Sequence, residues 1–192
     1  MRRTVFAAIL ALALHGVQAA EVAGVKLDEN LRLRPAGPDL VLNGAGIRTR
    51  LIFKVYVAGL YLTRKTSQAG AVISLSGPKR VAMTLLRDLG AQQLGDALVE
   101  GIRNNASAAE QAAINDRLDQ MLAIMAAIGE AKQGTRIALD YLPASGTRVV
   151  VNGKALGKPI PGEDFYRALL KVWLGDNPVD DDLKRGMLGQ PN

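Results

Sequence analysis

Residues 43–62 read NGAGIRTRLIFKVYVAGLYL, and this stretch predicts a long strand that is polar at its beginning. Side chains alternate between the two faces of an extended strand. From residue 50 onward one face is therefore apolar and is expected to be core, with Leu51, Phe53, Val55, Val57 and Tyr61. The other face carries Arg50, Lys54 and Tyr56. We expect that face to begin as a cationic surface that also bears a phenol.

Two glycines precede this strand. Gly44 and Gly46 predict a turn in which the backbone approaches its neighbours closely. If no bulge intervenes, Arg48 falls on the same side as Arg50, and this end of the strand then suits a carboxylate or phenolate, which arginine binds through paired hydrogen bonds. From the residues alone, solvated arginines on a wet face of an antiparallel sheet are an equal alternative. Tyr56 has a comparable alternative, in which its ring packs and its hydroxyl meets water.

Three segments of the chain resemble the chalcone isomerase-like proteins, particularly their secreted bacterial branch. They are GAGIR at 44–48, FKVYVAGLYL at 53–62 and FYRALLKVWLGDNPVDDDLKRGMLG at 165–189. The resemblance extends over nearly the whole mature chain. It implies an α+β fold of the open-faced β-sandwich type, in which a layer of helices covers an antiparallel sheet and a ligand cleft lies between the two.

The resemblance also implies which residues bind the ligand. In that family the arginine of the G-x-G-[IV]-R turn contacts an acidic group, which is a phenolate in the plant enzymes and a carboxylate in the fatty-acid-binding relatives. Arg48 is the matching residue. The fatty-acid-binding branch also uses a tyrosine on the following strand, where Tyr56 stands. Because the spacer after the turn is shorter here than in the plant enzymes, Arg50 is a further candidate.

The first residues have the pattern of a secretory signal. Arg2 and Arg3 precede an apolar run at 5–14, and Val17-Gln18-Ala19 reads as a cleavage site. We therefore expect a signal peptide over 1–19, a single domain over 20–192, and a periplasmic or secreted protein. No later segment reaches membrane length without charges, so no transmembrane segment is expected after signal removal.

Composition excludes several classes of function. The chain has no cysteine, and its only histidine, His15, lies in the predicted signal. We therefore expect no metal site, no haem, no other cofactor and no Ser-His-Asp or Cys-His catalytic group. The net charge of +6 is moderate and aromatic residues make up 4% of the chain, so nucleic acid is not an expected partner. Oligomeric state is not readable from the sequence.

Periodicity predicts strands early, helices in the middle, and then strands followed by helices. The predicted strands are 21–27, 39–42, the stretch ending at 62, 71–75, 79–87, 135–142, 147–151 and 154–156. Helices are expected from residues 91, 107, 161 and 177. Ser107 and Glu110 form a capping-box pattern, and Asn177 before Pro178 reads as the cap of the last helix. Runs of strands and runs of helices without strict alternation favour an α+β domain.

The resemblance bears on catalysis as well. In the plant enzymes, one helix presents a tyrosine, a lysine and an asparagine to the substrate, and these positions fall on Leu94, Ala97 and Gly101. An apolar helix face there favours a non-catalytic binder of a fatty acid or similar small amphipathic carboxylate, with Arg48 holding the head group. The first alternative is a chalcone isomerase-type enzyme that uses Arg48 and Tyr56 to stabilise an anion. The second is a structural or partner-binding domain whose cleft is filled by its own side chains.

Overall fold

The computed structural model describes residues 19–33 and 37–191. The main sheet is built from seven strands: β3 (Asn30–Arg32), β4 (Asp39–Arg50), β5 (Phe53–Leu62), β6 (Lys79–Leu85), β9 (Arg136–Leu142), β10 (Gly146–Val151) and β11 (Lys154–Ile160). Two short hairpins pair β1 (Ala19–Val22) with β2 (Val25–Asp28), and β7 (Leu89–Gly90) with β8 (Glu130–Ala131). The helices are α1 (Ala69–Ser74), α2 (Ala91–Asn105), α3 (Ala108–Ala126), α4 (Glu163–Leu174) and α5 (Asp181–Met187).

The main sheet is antiparallel and curled, with the strand order β11-β10-β9-β6-β5-β4-β3. The helices pack on one of its faces and share a large apolar core with it. A smaller core lies on the other face, beneath the β1–β2 hairpin, and contains Leu27, Leu33, Leu40, Leu42, Val57 and Tyr61. The structure thus confirms the predicted α+β class and the layer of helices on an antiparallel sheet.

The predicted long strand is in fact a hairpin. β4 runs to Arg50, and a two-residue turn at Leu51 and Ile52 leads into β5, which begins at Phe53. The prediction of a turn at Gly44 to Gly46 was wrong, because these residues lie in the middle of β4. Their small size serves packing, since a Cβ on Gly44 would lie 2.2 Å from the carbonyl oxygen of Gly186 in α5. The glycines allow α5 to rest directly on the strand.

β5 is buried on both of its faces. Every residue from 55 to 62 is buried, so the expectation of a polar surface on one side was wrong beyond its first residues. Tyr56, Ala58, Leu60 and Leu62 belong to the core under the helices. Val57 and Tyr61 belong to the core on the other face. A strand in the centre of a covered sheet needs apolar residues on both sides.

The smaller predictions had mixed outcomes. The capping box of α3 is confirmed, because the Ser107 hydroxyl accepts a hydrogen bond from the Glu110 amide and the Glu110 carboxylate accepts one from the Ser107 amide. The predicted strand at 71–75 is wrong, since these residues fall in and just after helix α1. The last helix is capped by Asp180, not by Asn177. Of the predicted signal peptide, 1–18 lie outside the described residues.

Candidate functional site

A cavity lies between the helix layer and the end of the sheet nearest the Leu51–Ile52 turn. The cavity volume is about 50 Å³, so its own side chains fill most of it. Polar groups enter this wall from three side chains, Arg48, Tyr56 and Trp173. The other lining residues are aliphatic or methionine: Met83, Leu94, Ala97, Leu98, Met121, Met125, Ile128, Ile137, Leu139, Val149, Val172 and Val179.

Strand register explains how the polar end of this wall is assembled. Arg48 in β4 pairs directly with Tyr56 in β5, so both side chains point to the same face of the sheet. The Arg48 guanidinium carbon lies 5.6 Å from the centre of the Tyr56 ring, within the range of a cation–π contact. A bulge between Arg48 and Thr49 then interrupts the alternation. Arg50, beyond the bulge, is exposed and does not line the cavity.

The Arg48 side chain lacks a strong polar partner. Its Nε is buried and has no hydrogen-bond partner among the described residues. None of the ion pairs formed within 19–33 and 37–191 includes Arg48. Asp180, whose charge acts on Tyr56, accepts hydrogen bonds from the backbone amides of Thr49 and Leu183 and forms no ion pair with Arg48. The guanidinium is therefore available to an anion in the cavity.

Tyr56 is held in place by Trp173, which comes from helix α4. The indole N–H of Trp173 donates to the Tyr56 hydroxyl over 2.9 Å, and both residues are buried. Burial raises the pKa of the Tyr56 phenol, while the Arg48 charge and the Trp173 hydrogen bond act in the opposite direction. The phenol therefore stays neutral at physiological pH, and its own proton can be donated to a carboxylate. Nothing in the sequence pointed to Trp173 as the partner of Tyr56.

Tyr56→Phe should destabilise the fold and change the fluorescence of the chain's single tryptophan. The substitution removes the acceptor of a buried indole N–H, which should lower the free energy of unfolding by about 1–2 kcal/mol. Urea denaturation followed by Trp173 emission measures both effects. Tyr61→Phe is the matched control, because Tyr61 is an equally buried tyrosine of the same strand whose hydroxyl makes none of the side-chain hydrogen bonds found in the described chain. Equal losses for the two variants would contradict the assigned role of the Trp173–Tyr56 bond.

Helix α2 supplies an apolar wall. Leu94 and Ala97, two of the positions singled out by the family resemblance, line the cavity. The third position, Gly101, is buried against helix α4, and a Cβ there would lie 2.6 Å from Cγ1 of Val172. Close contact between α2 and α4 therefore leaves no space for a polar side chain at residue 101.

The described residues contain neither a cluster of metal ligands nor a helix that could span a membrane. No group of three or more His, Cys, Asp or Glu side chains is placed to hold a metal ion there. Within the same residues, none of the helices combines the length and apolar character needed to cross a membrane.

Comparisons with known proteins place the chain in a family. The sequence model of the chalcone isomerase-like family matches residues 19–189 of this chain. A fatty-acid binding protein from Arabidopsis thaliana has a similar structure, with a TM-score of 0.69 and 14% sequence identity over 89% of this chain and 96% of that chain. At this identity the likeness shows the fold alone. Comparison with curated protein sequences gives no significant match. Because the family match extends over nearly every described element, the protein belongs to the chalcone isomerase-like family.

Proposed function

We propose that this protein is an exported, non-catalytic binder or carrier of a fatty acid or a similar small amphipathic carboxylate. The observation that carries the proposal is the Arg48 guanidinium, which lines a mostly apolar cavity and has no carboxylate partner in the described chain. Arg48 is half-buried, and a guanidinium in such a position binds a carboxylate through paired, charge-assisted hydrogen bonds. A ligand carboxylate would supply a counter-ion through two N–H donors of Arg48, with the Tyr56 hydroxyl as a third donor.

The rest of the cavity suits a hydrocarbon tail. Its aliphatic walls would exclude water from a methylene chain, which contributes about 0.8 kcal/mol per buried methylene. The open space in the cavity is only about 50 Å³, well below the roughly 300–1,000 Å³ of small-molecule sites. A bound tail must therefore displace side chains. Met121 and Met125 line the wall and can make room, because methionine is unbranched and flexible.

Two observations favour binding over catalysis. An isomerase of the chalcone type must stabilise negative charge that develops on an enone oxygen, which requires hydrogen-bond donors in the wall. Here the wall opposite Arg48 is formed by Leu94, Ala97 and other apolar residues. The similar structure from Arabidopsis thaliana is described as a fatty-acid binding protein, which supports the same choice of ligand. Arg48 and Tyr56 remain as the anion-stabilising groups of the alternative, an isomerase.

A chain-length series tests the proposed function. We expect saturable binding of fatty acids, followed by Trp173 fluorescence and calorimetry, with Kd falling roughly fourfold per methylene until the cavity is full. Fatty alcohols of equal length should bind more weakly, because they lack the charge that pairs with Arg48. The Arg48→Met variant replaces the guanidinium with an unbranched apolar side chain. It should bind fatty acids about ten- to a hundredfold more weakly.

Arg50→Met is the matched control for this series. It removes the same charge two residues away but outside the cavity, so Kd should change by less than about twofold. Absence of saturable binding at every chain length would contradict the proposed function. In a separate assay with tetrahydroxychalcone, a rate above the spontaneous reaction that Arg48→Met abolishes would favour the isomerase.

A further inference from the structure

The tip of the β4–β5 hairpin exposes three consecutive apolar side chains. Leu51 is 89% exposed, Ile52 85% and Phe53 49%, and these are the exposed large hydrophobic residues of the described chain. Scattered exposed apolar residues are ordinary on a protein surface. Three in succession at the end of a projecting hairpin form a patch that usually marks a contact with another molecule or a membrane.

The backbone conformation of this tip is one that leucine rarely adopts. Arg50 pairs with Phe53, so Leu51 and Ile52 form a two-residue turn, and Leu51 has a φ of 57°. Glycine, asparagine and aspartate are the residues that favour this conformation in hairpin turns. Leucine at residue 51 is strained and also leaves its side chain in water. Neither property stabilises the isolated fold, so the residue fits a role outside it.

Positive charge surrounds the apolar tip. Arg50 and Lys54 flank it and are exposed, and the Arg87 guanidinium carbon lies 4.7 Å from the centre of the Phe53 ring. Two acidic residues, Asp88 and Asp180, have hydrogen-bond partners of their own. Asp88 binds Lys132 and the Gln133 amide, and Asp180 accepts two backbone hydrogen bonds.

We propose that this hairpin tip, residues 50–54 together with Arg87, docks on an anionic lipid membrane. Apolar side chains of such a tip enter the boundary between head groups and acyl chains, while the cations pair with anionic head groups. The charge pattern favours this occupant over a second copy of the chain, because two tips placed together would bring like charges into contact. The inference does not depend on the proposed ligand.

Docking at this tip would place the candidate site next to the membrane. Arg48 is two residues from Arg50, and successive strand residues rise by about 3.3 Å. The cavity also lies at the same end of the sheet, since Tyr56 follows Phe53 closely in β5 and Met83 lies near the end of β6. A tip anchored in the bilayer thus holds the Arg48 end of the cavity near the lipid head groups, where an amphipathic carboxylate resides.

Vesicle binding of the chain from residue 19 onward, which contains every element described above, tests the proposal. We expect the protein to co-sediment with vesicles of phosphatidylcholine and phosphatidylglycerol, to bind pure phosphatidylcholine vesicles more weakly, and to lose affinity at high salt. Leu51→Gly combined with Ile52→Ser should weaken partitioning at least about tenfold. Glycine tolerates the positive φ of residue 51, so this variant should keep or raise the Tm and should still bind fatty acids in solution.

Charge variants and a label complete the test. Arg50→Gln with Lys54→Gln should weaken partitioning about thirtyfold. Arg64→Gln with Lys65→Gln is the matched control, because it removes two exposed charges beyond the opposite end of β5, and it should change partitioning less than about threefold. The chain has no cysteine, so an environment-sensitive dye on Ile52→Cys reports the tip alone and should shift to the blue on anionic vesicles.

Two results would overturn the membrane proposal. One is a lack of vesicle binding that depends on the tip: either the unaltered chain does not bind anionic vesicles, or the Leu51→Gly, Ile52→Ser variant binds them as tightly as the unaltered chain. The other is concentration-dependent dimerisation that this variant abolishes while vesicle binding is absent, which would assign the tip to contact between copies. Normal fatty-acid binding alongside either result would leave the proposed ligand unaffected.

Discussion

Asp140→Asn is expected to lower the free energy of unfolding by about 3–5 kcal/mol. Asp140 is fully buried and lies on the face of the sheet opposite the helices, directly between its cross-strand neighbours Arg80 in β6 and Arg148 in β10. Its two carboxylate oxygens accept hydrogen bonds from both arginines, including one of 2.8 Å from Arg80 and one of 2.9 Å from Arg148. The neutral amide would leave two largely buried guanidinium groups without a counter-ion.

Asp39→Asn is the matched control for this substitution. Asp39 forms the same two-point contact with an arginine, Arg32, but both side chains are about two-thirds exposed. Solvent screens an exposed ion pair of this kind, so its loss should change the free energy of unfolding little. Urea denaturation of both variants measures the difference, and equal losses would contradict a stabilising role for the buried carboxylate. The outcome also matters for the candidate site, because the strands that Asp140 joins carry Met83, Leu139 and Val149 of the cavity wall.

Gly44→Ala is expected to destabilise the protein by about 2–3 kcal/mol, because the added methyl group would collide with the backbone of the segment packed on β4. The added methyl group would lie 2.2 Å from the Gly186 carbonyl oxygen and 2.6 Å from the Gly189 nitrogen. Backbone atoms cannot rotate away as a side chain can, so α5 would have to move off β4. That movement should disturb the hydrogen bond from the Asn43 side chain to the Met187 carbonyl. Since β4 also carries Arg48, fatty-acid affinity should fall as well.

Gly70→Ala is the control for the added methyl group. Gly70 lies in helix α1, has no heavy atom within 4 Å of the position of a Cβ, and does not have a positive φ. Alanine there should stabilise the helix by roughly 0.5–1 kcal/mol. Thermal and urea denaturation of both variants show whether the free energy of unfolding falls for Gly44→Ala and rises for Gly70→Ala. If Gly44→Ala is as stable as Gly70→Ala, the close packing of α5 on β4 does not constrain the strand as we infer.

Local sequence signals predicted those elements whose cause is local. The capping box at Ser107 and Glu110 could be found from the sequence because each group bonds the other within one helical turn. The short apolar run at 71–75 was wrongly predicted to be a strand, because a run of this length does not distinguish the 3.6-residue period of a helix from the two-residue period of a strand. The cap of α5 was misplaced because Asn177 is engaged by Asn105, a residue 72 positions earlier.

The candidate site was only partly predictable. Arg48 and Tyr56 were both identified, and the structure places them side by side in the cavity wall, while their role toward a ligand remains a prediction. Arg50 was expected on the same side as Arg48, and the bulge at Arg48 and Thr49 separates them. Alternation along a strand indicates a face only while the register is regular. A bulge depends on how two strands meet, which the order of residues in one strand does not reveal.

By itself, the sequence determined the α+β class and the family, and it singled out Arg48 and Tyr56, which lie side by side in the cavity wall. These features could be predicted because hydrophobic periodicity, capping residues and short motifs each depend on residues that are close together in the chain. The tertiary structure alone decided that the Gly44 to Gly46 segment is a packing surface for α5, that Trp173 holds Tyr56, and that Leu51 to Phe53 project into solvent. Each of these depends on contacts between segments far apart in the chain, and the free energy of such contacts is set by three-dimensional packing, which no local pattern encodes.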